Sequence, residues 1–152
     1  MKTKSILSRF ALVLLVLLLL VLILPASKID LASKLAASSQ ISVRTEKIAS
    51  FASGNDMQYQ VYSMDDAEYQ QLTALLAQVT CRKKLNQSYS SYSHDYPVQS
   101  VTISGYDDAE NHQLLLSVYS DGVCILNNAF VSAKYAGGGA AELYQALVEI
   151  VE

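Results

Sequence analysis

The chain has 152 residues, 51% of them hydrophobic, with 11 basic and 14 acidic side chains and a formal net charge of −3. From Lys28 onward 8 basic residues stand against 14 acidic ones, a balance of −6. That balance excludes nucleic acid as an expected partner, since phosphate backbones require clustered positive charge.

The chain opens MKTKSILSRFALVLLVLLLLVLILPASK, with Lys2, Lys4 and Arg9 ahead of an unbroken apolar run from Phe10 to Leu24. A basic flank before an apolar core is the pattern that export machinery recognises. Counted from Ile6 to Ala26, with Arg9 snorkelling toward the interface, a helix would be about 31 Å long and would span the hydrocarbon layer. A small-x-small cleavage site is poorly formed, because Leu24 stands two residues before Ala26. No cysteine follows the run closely enough for a lipoprotein anchor. The segment 6–26 is therefore read as an uncleaved signal-anchor behind a cytoplasmic basic tail, 1–9. The flanking charges keep the N-terminus inside and place the rest outside a single-pass cell-membrane protein. Secretion after signal-peptide cleavage is the alternative.

Residues 27–40, SKIDLASKLAASSQ, read as a stalk or linker, with a weak apolar spacing at Ile29, Leu31 and Leu35. The folded domain is expected over 41–152, a length that suffices for one core. Ile41, Val43 and Thr45 alternate with polar residues, as do Met57, Tyr59 and Val61, and Ser53-Gly54-Asn55-Asp56 lies between them, so a hairpin is expected. From Ser63 the period changes. Tyr69, Leu72, Leu75, Leu76 and Val79 share one helical face after an acidic first turn, which predicts a helix from Asp66 to about Thr80. Arg82, Lys83 and Lys84 then fall at its negative end; they offer contact to anionic membrane or wall polymer, but a helix terminus accounts for them without a ligand.

Beyond Pro97, Val101 and Ile103 begin a strand, and Gln113 to Ser120 carries three consecutive leucines, as a central strand does. Asp121-Gly122 predicts a type I′ hairpin into Val123 to Leu126. Phe130 to Tyr135 is a further candidate strand, and Ala140 to Val151 a closing helix with Leu143, Leu147, Ile150 and Val151 inward. The expected fold is α+β, in the order ββα-βββ(β)-α, with helices packed on an antiparallel sheet.

Four features carry possible chemistry. Ser88 to Tyr96 reads SYSSYSHDY, and neighbours in sequence do not surround an imidazole as a Ser-His-Asp triad requires. Tyr89, Tyr92, His94 and Tyr96 are instead candidate binding residues, since tyrosine offers large amphipathic contact with few torsions to immobilise; a plain polar connection is the competing reading. Cys81 and Cys124 are the only cysteines and lie in the exported part, so they form either a disulfide or two buried thiols. A bridge closing that loop would contribute roughly 4 kcal/mol. Ala136 to Ala140 is glycine-rich before a helix but lacks phosphate-loop spacing. The acidic turn Asp107 to Asn111 lacks the ordered ligand series and turning glycine of a calcium loop. No metal or cofactor is expected.

The layout of anchor, capped helix from Ser63 to Val79, Ser120-Asp121-Gly122 hairpin and closing helix with Leu143-Tyr144 resembles the small membrane-anchored extracytoplasmic proteins of Gram-positive, clostridial-type bacteria. The resemblance implies an envelope location and assigns no activity. The expected function is non-catalytic binding of an envelope or extracellular protein or glycan. The alternative is a hydrolase using His94 or His112 with a serine and an aspartate.

Overall fold

The computed structural model describes residues 12–16, 28–50, 55–84, 95–107 and 112–151. In chain order these form α1 (Leu31–Ala36), β1 (Gln40–Ile48), β2 (Asn55–Ser63), α2 (Ala67–Ala77), β3 (Thr80–Lys83), β4 (Val98–Asp107), β5 (His112–Tyr119), β6 (Cys124–Leu126), β7 (Ala129–Lys134) and α3 (Ala140–Val151). The strands make one antiparallel sheet in the order β2-β1-β4-β5-β6-β7-β3. Two connections decide this order. The tight meander from β4 to β7 builds the middle, and α2 carries the chain from one edge strand, β2, to the other, β3. The leucine-rich strand β5 is central, as its composition predicts.

One face of the sheet and the three helices enclose the core. Ile41 and Val43, Val101 and Ile103, and Leu114, Leu116 and Val118 project from alternate positions of β1, β4 and β5. They meet Leu72 and Leu76 of α2 and Leu143 and Leu147 of α3. The predicted face of α2 is buried throughout, Val79 included. The closing helix has its predicted bounds and inward residues, with Ile150 only half-buried.

Three local expectations are corrected and one open choice is decided. Of the stalk expected over 27–40, the described residues 28–40 are no tether. Asp30 caps α1 by accepting the Ser33 N–H at 3.0 Å, and Leu31 and Leu35 are fully buried in the main core. Tyr69 locks this segment down, its hydroxyl donating to the carbonyls of Leu35 (3.0 Å) and Ser38 (2.8 Å). The helix expected to reach Thr80 stops at Ala77 with Gln78 as C-cap, and after Val79 the chain enters strand β3 at Thr80. Thr80 and Cys81 favour extended backbone, and β7 offers them a ladder. Arg82 and Lys83 are therefore strand residues and not a helix terminus.

The third correction concerns turns. At Asp121-Gly122 only Gly122 has positive φ, at 86°, so the turn is not type I′. The two-residue loop with both φ values positive is Asn127-Asn128 (47° and 63°), joining Leu126 to its partner Ala129. Asparagine tolerates that backbone, and Asn127 anchors the loop by accepting the Leu115 N–H at 2.8 Å. The fourth point decides between the two readings left open for Cys81 and Cys124: both are buried free thiols. Strand β7 runs between their strands, and two strand spacings of about 4.8 Å exceed the ~7 Å limit between bridged Cα atoms. Burial raises the Cys81 thiol to about 11. Burial, and then the neighbouring Cys81, raise Cys124 to about 12 against an opposing pull from Lys84.

Among the described residues no helix is long and apolar enough to cross a membrane. The expected span 6–26 lies outside them except for 12–16, which are helical and 48–64% exposed on every side.

Candidate interaction surface on the outer strand

The register of the first hairpin decides what β2 shows to solvent. Ile41 and Val43 of β1 must face the core, and directly opposite them stand Tyr62 and Gln60. Opposite residues in an antiparallel pair share a face. The polar set of β2, Asp56, Gln58 and Gln60, thus lies on the helix side, and the apolar set faces away. Met57 is 54% exposed, Tyr59 67% and Val61 48%. The alternation was legible in the sequence; its phase relative to the core was not.

β2 is also an edge strand nine residues long, and among the described residues no strand pairs with its outer side. Its two faces differ. On the outward face the apolar stripe borders Arg44 and Glu46 of β1, which are opposite Tyr59 and Met57 and approach each other at 3.8 Å. On the helix side a polar groove of about 340 Å³ opens between β1–β2 and α3, lined by Thr45, Lys47, Asp56, Gln58, Gln99 and Tyr144 among others. The Tyr144 hydroxyl donates to Gln99 Oε1 at 3.1 Å across its floor. An extended segment added to β2 would place alternate side chains on the apolar stripe and at the groove.

The residues singled out in sequence are only partly placed. Tyr89, Tyr92 and His94 lie outside the described residues. Tyr96 is 46% exposed and precedes Pro97 through a cis peptide bond, with Asp95 also exposed. His112 begins β5, with Asp107 of β4 opposite it in the ladder. Among the described residues no cluster of three or more histidine, cysteine or acidic side chains could hold a metal ion.

The glycine-rich turn is filled from within. Glu142 Oε2 accepts the Gly139 N–H at 2.6 Å, and that bond holds the carboxyl below its ordinary pKa. The carboxylate stands where an external anion would bind, as in a helix-capping arrangement. A Cβ at Gly138 would come within 2.6 Å of Glu142 Cγ, so any larger residue there would displace the capping side chain.

No family model, curated protein or solved structure matches the chain.

Proposed function

We propose that the protein is a membrane-tethered extracytoplasmic binding domain of the cell envelope, and that it takes an extended segment of a partner protein onto β2. The observation that carries this reading is the long outer strand with Met57, Tyr59 and Val61 exposed in register. Unpaired strand edges recruit other strands, and soluble domains normally blunt them with charge, brevity or a covering element. An apolar stripe on such an edge marks an interaction site. The tether rests on the basic flank and apolar run of residues 1–26. The all-round exposure of apolar residues 12–16 supports it, because a helix apolar on every side belongs in lipid or in a large core.

Two measurements test the reading. A photo-crosslinking side chain placed at Tyr59 in intact cells should capture a discrete protein band, and Val61→Lys should abolish it. Crosslinks arising equally from Gln71, an exposed position on α2, would overturn the β2 assignment. For orientation, an impermeant amine reagent should modify exposed Lys47 in intact cells; protection until lysis would reverse the topology.

A further inference from the structure

The opposite edge of the sheet has a different chemistry. Strand alternation puts Thr80 and Arg82 on the face of the sheet away from the helices, opposite Lys134 and Ser132 of β7. The Lys84 N–H donates to the Phe130 carbonyl at 2.9 Å, which extends the ladder and puts Lys84 on that face too. Arg82, Lys84 and Lys134 are all exposed. Thr80, Arg82, Ser132 and Lys134 line a shallow hollow of about 280 Å³. Two cations and two hydroxyls around one hollow, without a carboxylate in its lining, suit a phosphate group.

This edge is also where the N-terminal segment joins the domain. The Ile29 N–H donates to the Cys81 carbonyl at 2.9 Å, so the chain is fastened to β3 as the fold begins. Only three covalent steps separate Ile29 from Ala26, a reach of at most ~11 Å. Exposed Lys28 lies on that short connection. Asp30, the neighbouring carboxylate, is engaged as the cap of α1. With the supposed stalk folded into the core, no spacer remains. The helix terminus that would otherwise account for Arg82, Lys83 and Lys84 is five residues or more upstream.

We infer that the β3–β7 edge docks on the phosphates of anionic phospholipid headgroups in the bilayer that its own N-terminus enters, with Arg82, Lys84 and Lys134 as the contacting cations. The inference rests on the membrane-anchor reading above. A short connection holds the edge within the range where an anionic surface attracts basic side chains, roughly one Debye length beyond the headgroups. The rest of the domain carries most of the 14 acidic residues, so the same field turns it away from the surface and orients the molecule.

The test uses the full chain in phosphatidylcholine vesicles, with and without about a third phosphatidylglycerol. Acetylation by an impermeant reagent is read lysine by lysine, with Lys47 as the internal reference. Anionic lipid should slow Lys134 and Lys84 about threefold or more relative to Lys47, the factor expected from a surface potential near −30 mV. Molar salt, or Arg82→Gln for Lys134, should reverse the effect. Equal rates in both vesicle types, with the chain floating in both, would overturn the docking and leave the anchor standing. Failure to float with either would overturn the anchor and the docking with it. If millimolar inorganic phosphate in phosphatidylcholine vesicles slows Lys134 as much as anionic lipid does, the hollow is a free-anion site and the lipid assignment fails.

Discussion

The two edges of the sheet solve the same problem in opposite ways. β3 is four residues long, carries Arg82 and Lys83, and receives Ile29 on its free side. Brevity, charge and a covering segment are the usual protections of an edge strand. β2, about 29 Å away across six strand spacings, is nine residues long and exposes Met57, Tyr59 and Val61. One edge is closed to further strands and suited to a charged surface. The other is open to a strand and apolar. On the function proposed above, the protected edge would serve tethering and the bare edge binding.

The closed edge depends on α1, and breaking α1 should have the largest effect. Leu35→Ala removes a fully buried side chain that helps hold the Ile29–Cys81 junction in place. The expected loss is about 2–5 kcal/mol, measured by chemical denaturation. A loss below ~0.5 kcal/mol would return residues 27–40 to the status of a tether. Tyr69→Phe strips the hydroxyl from the Leu35 and Ser38 carbonyls while keeping the ring, and should cost about 1–2 kcal/mol.

Burial of Cys81 and Cys124 sharpens the comparison through pH. Both folded thiols ionise above the range of an unfolded thiol, so their contribution is constant below about pH 9. It is lost as pH rises toward 11, because only the unfolded chain releases those protons readily. The wild type should lose about 1 kcal/mol or more over that interval beyond the loss in a Cys81→Ala/Cys124→Ala variant. Parallel pH profiles would mean the thiols are solvated. Alkylation should find two free groups after unfolding and almost none before.

The open edge should show the smallest stability change and the clearest change in binding. Tyr59→Lys lies on the solvent face and should alter the unfolding free energy by under ~0.5 kcal/mol. The same substitution puts a gatekeeping charge on β2 and should remove the partner band captured by a crosslinking side chain placed at Met57 instead. A large destabilisation would show that Tyr59 packs against the domain in solution, and the binding reading of β2 would fall.

Local patterns were legible wherever one residue's neighbours in sequence set its environment. The 3.6-residue spacing of Leu72, Leu75 and Leu76, the amphipathic closing helix, and the leucines of β5 each announced an element and its buried face. The α+β class and the antiparallel meander were legible too, but the expected order lacked α1 and β3. The asparagine pair at 127–128 was an available turn signal that the stronger-looking Asp121-Gly122 overshadowed. What lay beyond local reading was anything settled by a distant partner. Leu31 and Leu35 resemble a weak stalk until Tyr69, more than thirty residues on, donates to the carbonyls of Leu35 and Ser38. Arg82 and Lys83 resemble a helix terminus until β7 provides a ladder for them. The two cysteines fit a bridge or two separate thiols equally until β7 takes the place between their strands. The amino-acid sequence by itself determined the types of the strongly periodic elements, the acidic balance beyond Lys28 and the apolar N-terminal run, because these depend on side-chain chemistry and near-neighbour periodicity. Only the tertiary structure decided which face of β2 meets water and which edge carries the basic cluster, because strand phase and order follow from pairing across the sheet.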